Sequence, residues 1–205
     1  MKKLVKNYIY NLIYQVFLVI VPLITAPYLA KTLGSKALGI YSYICSVSSI
    51  ITNLGLIGLN NYGAREVAYS RIEQRKLDKV FADINILRLI LLLIISIPYW
   101  IIILQSSYKL YFSIQYILIF STFIDTSWLM IGLEEMKIVA LRNFAAKLIT
   151  VIGVFLLVKN SNDLWIYFAI FSVATLVTTL SLIFQLKKYI NYEHFDLRNM
   201  YKHIK

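Results

Sequence analysis

Ile84-Asn-Ile-Leu-Arg-Leu-Ile-Leu-Leu-Leu-Ile-Ile-Ser-Ile-Pro-Tyr-Trp-Ile-Ile-Ile-Leu104 is an unbroken apolar run carrying one charge, Arg88. As a helix it rises roughly 31 Å, which matches a bilayer hydrocarbon core of about 30 Å. A helix apolar on every side belongs in a membrane or deep in a large core. Working outward, five similar runs appear at about 8–30, 38–59, 111–131, 144–158 and 164–186. The run at 144–158 is short and carries Lys147 near its start. Composition agrees: 60% of the 205 residues are hydrophobic and 15% charged, against about 45–50% and 25% in soluble domains. The fold class read from this pattern is an all-α membrane protein, a bundle of about six transmembrane helices. Residues 1–186 form the bundle, and 187–205 form a basic cytoplasmic tail.

The connections sort into two kinds. Those at 105–109 and 159–163 are short, whereas 60–79 and 133–147 are longer, charged and in part helical. The net charge of +11 would suggest nucleic acid in a soluble protein, but the basic residues sit between apolar runs. With the N-terminus in the cytoplasm, sixteen Lys and Arg fall inside and four (Lys31, Lys36, Lys109 and Lys159) outside, Arg88 being left within a span. That asymmetry alternates correctly over six passes and places both termini in the cytoplasm. Met1-Lys2-Lys3 opens like a signal peptide, yet the run that follows is too long and lacks a small-residue cleavage site, so it is a retained first helix. Cys45 is the one cysteine, which excludes an intrachain disulfide. Tyr8, Tyr10, Tyr99, Trp100, Tyr108, Tyr111, Trp165 and Tyr167 cluster near the span ends, as an aromatic belt does.

Polar residues recur at helical spacing inside the spans. Ser42, Ser46, Ser49 and Asn53 share one face of the second, and Ser121, Asp125, Trp128 and Gly132 one face of the fourth. Asn11, Gln15, Pro22 and Thr25 form a similar stripe in the first, and the sixth has Ser172, Thr175 and Thr179. Helix–helix packing accounts for such stripes; a shared hydrated cavity is the alternative, toward which Gln15 and Asn53 lean. Asp125 and Arg88 carry more information, because a charge near the bilayer centre costs about 2.5–3.5 kcal/mol and needs a partner or water. Both lie toward the cytoplasmic half, where they pair with each other or, for Arg88, snorkel to the interface. A carboxylate and a guanidinium suit a pyrophosphate-linked or hydroxyl-rich substrate, or a coupling proton. Pro22 and Pro27 each remove a backbone donor and tend to kink the first helix. No GxxxxGK[ST] loop, catalytic Ser/His/Asp set or metal-spaced cluster occurs; His194 and His203 lie alone in the tail. Nothing calls for a cofactor. Glu134-Glu135 is a solvated carboxylate pair at a helix end.

Asn11-Leu-Ile-Tyr-Gln15, Val21-Pro-Leu-Ile-Thr-Ala-Pro-Tyr-Leu29, Leu33-Gly34 and Leu38-Gly39-Ile-Tyr-Ser42 resemble the opening of Wzx-type polysaccharide flippases. Gly58-Leu-Asn-Asn-Tyr-Gly-Ala-Arg-Glu66 resembles the family's most distinctive segment, and Trp128-Leu-Met-Ile-Gly-Leu-Glu-Glu-Met-Lys137 its loop after the fourth helix. The resemblance implies one lobe of a two-lobed exporter of 12 to 14 helices, belonging to the superfamily of multidrug and oligosaccharidyl-lipid exporters. It implies a non-enzymatic function in the cell membrane: translocating undecaprenyl-pyrophosphate-linked oligosaccharide repeat units for capsule, O-antigen or exopolysaccharide synthesis. The implied partners are membrane lipid, the lipid-linked glycan, and a second lobe or polysaccharide-assembly proteins, with no nucleic acid. Six spans make only the N-terminal lobe, so a fragment or a half that pairs with another chain is expected, and 187–205 would then begin the inter-lobe linker. On this reading Gln15, Ser46, Asn53, Arg88 and Asp125 face the substrate cavity. Pro22, Pro27, Asn61, Tyr62, Gly63, Arg65 and Glu66 form a gate or packing element. A multidrug or cation exporter lobe is the alternative, followed by a glycan polymerase, which the short outer loops disfavour, and a non-transporting membrane partner.

Overall fold

A computed structural model describes residues 2–191; of the first eighteen, side chains are described only at 12, 15 and 16. The helices are α1 (Lys2–Gly55), α2 (Leu59–Ser70), α3 (Gln74–Gln105), α4 (Lys109–Phe123), α5 (Ser127–Gly132), α6 (Met136–Leu157) and α7 (Leu164–Leu186), with a 3-10 turn at Ser161–Asp163. There is no strand among the described residues. The protein is an all-α, multi-pass membrane protein. Five helical stretches are long and apolar enough to cross a bilayer. Their outer faces are apolar: Leu93, Ile97, Leu104, Leu156 and Phe184 are exposed, as lipid requires.

The first of these stretches is two passes. At 54 residues α1 would be about 81 Å long if straight. It breaks at Gly34, whose φ of 81° and ψ of 167° lie in a region only glycine adopts without strain. Both arms meet one end of the bundle. Tyr28, before the break, donates to the Val158 carbonyl at 2.7 Å, and Tyr41, after it, packs against Tyr167 with ring centroids 4.6 Å apart. The second arm then descends, placing Gly55 against Ile95 and Phe123. Six crossings result, as the sequence predicts, with a one-residue break where a loop was expected. Pro22 and Pro27 lie within helical backbone; the break falls at the glycine.

The end bearing Gly34, 105–109 and 158–164 is the short-loop end; the opposite one is the charged end. At the short-loop end Asp163 Oδ2 accepts the Lys159 and Asn160 amides, both at 2.8 Å, which caps the turn into α7. Helix α7 packs against α4, α6 and α1, with Phe168 stacked on Tyr111. Tyr99 is fully buried and joins three helices: its hydroxyl lies 3.0 Å from Ser48 Oγ and donates to the Phe112 carbonyl. Tyr99 is therefore core, although its position suggested the aromatic belt; Trp100 and Trp165 are exposed, as belt residues are. At the charged end buried Asp78 accepts from Gln74 and from the Asn191 amide, and Gln74 also donates to the Tyr189 carbonyl, so the exit of α7 is tied to α3. The expected tail beyond 191, with His194 and His203, lies outside the described residues.

Two helices differ from expectation. The fourth span is interrupted at 124–126, so α4 and α5 are separate pieces. The fifth begins at Met136 rather than near 144, which puts Lys147 in the middle of α6 rather than near the start of the span.

Candidate functional site: a buried polar layer and an outward stripe

Helix rise places Arg88, Asp125 and Arg142 at one depth, roughly 22–26 Å from the short-loop end. Arg88 is buried and uses its guanidinium on three acceptors. Nε donates to the Phe123 carbonyl at 2.8 Å, Nη2 to the Thr122 carbonyl at 2.6 Å and Nη1 to Asn60 Oδ1 at 2.6 Å. The two carbonyls are at the C-terminal end of α4, where the helix leaves acceptors unpaired and its dipole favours a cation. Asp125 does the complementary task at α5. Its carboxylate accepts the Ser127 amide at 3.1 Å and hydroxyl at 2.8 Å, and pairs with Arg142 Nη1 at 2.7 Å. Arg88 and Asp125 are thus neighbours in depth, but the ion pair expected between them is made by Arg142 instead. The interruption of the fourth span is held by one arginine above it and one ion pair below.

The segments with the most distinctive sequence pack on each other here. Gly58 has φ +68° and turns the chain into α2. A methyl group at Gly63 would sit 2.7 Å from Trp128, and one at Gly132 would sit 2.5 Å from the Ala64 carbonyl, so α2 and α5 touch through bare backbone. Trp128 is buried under Gly63 and stacked on Phe81. Gly63 is a packing residue. Asn61, Tyr62 and Arg65 point out of the bundle and Glu66 is half-buried. Arg65 lies 5.8 Å over the Tyr62 ring and only loosely, at 3.9 Å, from Glu66. Tyr62 and Glu66 line a 180 Å³ cleft against α3 that also holds Asp83.

The expected cavity residues do not gather. Gln15, Pro22 and Pro27 are exposed on the first arm of α1. Ser46 and Asn53 are exposed on the second arm together with Ser42 and Ser49. The exposed surface of that arm is divided. Tyr43, Ile50 and Leu54 form an apolar strip, and the four polar residues form a parallel one, while Ile44 and Ser48 are buried behind. Four other hydroxyls are satisfied locally: Ser121, Thr122, Thr150 and Thr175 donate to the carbonyl four residues back. Ser172 and Thr179 are buried among the helices, and their hydroxyls have no hydrogen-bond partner among the described residues. Asn60, Arg142 and Lys147 were missed as site residues. For the last two, a 15-residue span of about 22 Å is too short for the bilayer, and extending it toward 136 would have brought Arg142 inside and moved Lys147 from the start of the span to its middle.

Residues 4–205 match the polysaccharide biosynthesis protein family. A protein of Shigella dysenteriae named "Putative O-antigen transporter" is 28% identical over 149 residues, a stretch that covers 70% of this chain and 37% of that relative. No solved structure matches. With six crossings, a stitched fourth span and the Gly58–Glu66 segment seated on Trp128–Gly132, this chain belongs to the polysaccharide biosynthesis protein family, that of the Wzx-type flippases.

Proposed function

We infer that the chain is the N-terminal lobe of a flippase that carries undecaprenyl-pyrophosphate-linked oligosaccharide repeat units across the cytoplasmic membrane, without chemical change, for surface polysaccharide assembly. Its N-terminus and its charged end face the cytoplasm, where the basic connections are retained. The observation that carries this reading is the exposed stripe Ser42, Ser46, Ser49 and Asn53. A membrane helix gains nothing by turning four polar side chains toward lipid, so that strip meets water, glycan or a second lobe. Hydroxyls and an amide suit a sugar, whose many hydroxyls both donate and accept, and the neighbouring apolar strip suits the lipid that stays in the bilayer. The partner across the stripe is a second lobe, on the same chain or another.

Replacing Ser46 and Asn53 together by leucine in the intact transporter tests this. Surface polysaccharide is expected to fall at least about tenfold, the effect of losing roughly 1.4 kcal/mol of binding. Unchanged polysaccharide at equal protein level would overturn it.

A further inference from the structure

Helix α4 ends at Phe123, and the chain turns into α5, which packs on α2 and α6. Helices α3 and α7 both pack on α4 and continue past that point toward the charged end. Where α4 stops, a cavity of about 160 Å³ lies between them. Leu89 of α3, Phe123 and Ile124 at the interruption, and Ile183 of α7 line it, together with Asn85 and Thr126. Six of its eight lining residues are apolar, and none is charged. Leu93, Phe120 and Leu180 each lie about one turn nearer the short-loop end than a lining residue of the same helix, and all three are exposed. The cavity is therefore the end of an apolar groove that opens on lipid, with α4 as its floor.

Thr126 is the exception in this lining. It is 2% exposed, and its hydroxyl has no hydrogen-bond partner among the described residues. Thr122, one turn earlier, donates to the carbonyl four residues back. Thr126 has no such outlet. Its backbone, with φ −105° and ψ 17°, has left the helix, and the Thr122 carbonyl is held by Arg88 Nη2. A buried hydroxyl without an acceptor is costly, and here it belongs to a residue that borders open space. An ion does not suit that space. No carboxylate or cationic side chain lines it, and the last α4 carbonyls already receive the Arg88 guanidinium. A neutral acceptor carried on an apolar chain does suit it. Helix rise places Asn85, Thr126 and Ile183 roughly 25–30 Å from the short-loop end, where a hydrocarbon core of about 30 Å gives way to the ester groups of its lipids.

We propose that this cavity binds one acyl chain of a glycerophospholipid from the leaflet at the charged end, with the ester carbonyl accepting from Thr126 Oγ1. An apolar groove alone admits any hydrocarbon chain, because lipid covers every such surface. The hydroxyl adds a preference for a chain that carries a carbonyl at its root. The bound lipid bridges α3 and α7 at the level where α4 no longer does. No residue of α1 lines the cavity, so the site is distinct from the polar strip and independent of what the protein carries.

The test is native mass spectrometry of the whole chain in a non-ionic detergent. It is offered equal amounts of dioleoyl phosphatidylcholine and of the di-ether lipid with the same headgroup and chains but no ester carbonyl. The wild-type chain is expected to retain the ester lipid in its one-lipid adduct with a preference of roughly threefold to tenfold, the effect of one hydrogen bond. Thr126→Val keeps the shape without the hydroxyl and is expected to retain both lipids equally. Thr126→Ser is expected to keep the preference. Ile183→Trp, which fills the cavity, is expected to lose it. Equal retention of the two lipids by the wild type would overturn the proposal, and so would a Thr126→Val chain that still prefers the ester. A Thr126→Val chain with a lower thermal unfolding midpoint and an unchanged lipid ratio would assign the hydroxyl to a buried water instead. If Thr126→Val does not fold, Ile183→Trp decides, and an undiminished preference in that variant would place the lipid elsewhere.

Discussion

Arg88 shows how much one side chain can hold in a membrane protein. A charge this deep would normally suggest a transported ion or substrate, yet its donors are taken up by protein acceptors on two other elements. Guanidinium geometry makes this workable: a planar fork addresses three acceptors at once, which a lysine ammonium on its flexible stem does not. Arg88→Lys is therefore expected to destabilise almost as much as Arg88→Ala. Each leaves buried carbonyls short of a donor at a cost of about 1–3 kcal/mol per group. A thermal unfolding midpoint in detergent reads this directly, and a midpoint equal to wild type for both variants would mean that the clamp bears no stability. Asn60→Leu removes one acceptor and is expected to cost less. Sequence reasoning found Arg88 but assigned it to a cavity, because depth along a helix is legible from spacing while the direction of a side chain around the axis is not. Arg88, Asp125 and Arg142 all fall at one level, so spacing alone permits either arginine to pair with Asp125. Only the packing of α3 and α6 around the α4–α5 interruption chooses Arg142.

Between elements, glycines set how closely helices approach, and their environments differ enough to rank. A Cβ at Gly132 would meet the Ala64 carbonyl and Val67, which are backbone and a stiff branched side chain; one at Gly63 would meet the Trp128 ring; one at Gly39 meets nothing within 4 Å. Gly132→Ala is expected to destabilise most, by about 1–3 kcal/mol as overpacking does. Gly63→Ala should cost less, and Gly39→Ala should stabilise by up to about 1 kcal/mol through helix propensity. Unfolding midpoints in the order Gly39→Ala above wild type, then Gly63→Ala, then Gly132→Ala would agree, and an equal effect of all three would contradict the contact. At this scale the sequence was read well where the signal is local. Hydropathy located the six passes, and the charged segment after the second one is helical as expected. The interruption of the fourth span was missed because Ile124-Asp-Thr-Ser-Trp128 lies within an apolar run. Asp125 two residues before Ser127 is a turn signal that apolar averaging hides. The start of α6 was placed late for a related reason, since Arg142 and Lys147 lower the average while the helix continues through both.

For the whole molecule, the question is what the outside of the bundle meets. A lone bundle in lipid would be apolar all round. Here one helix carries an apolar strip and a polar strip side by side, with its third side buried. On the first arm of α1 most of the described side chains are also exposed, Gln15 among them. Around Gln15 the exposed residues are apolar (Leu12, Val16, Val19 and Ile20), so the polar strip of the second arm is where lipid gives way to something wetter. Accessibility of the strip to water can be measured separately from transport. In the intact transporter, with Cys45 replaced by Ala, single cysteines at Ser46 and Asn53 are expected to react with a membrane-impermeant maleimide. Cysteines at Ile50 and Leu54, on the same arm but on the apolar strip, are expected to stay unreactive, because a thiol in hydrocarbon remains protonated and out of reach of a charged reagent. The comparison is within one helix at matched depth, so differences in insertion or expression cancel. Equal reactivity on both strips would mean that the stripe faces lipid like its neighbours, and the two-lobed arrangement built on it would lose its structural basis.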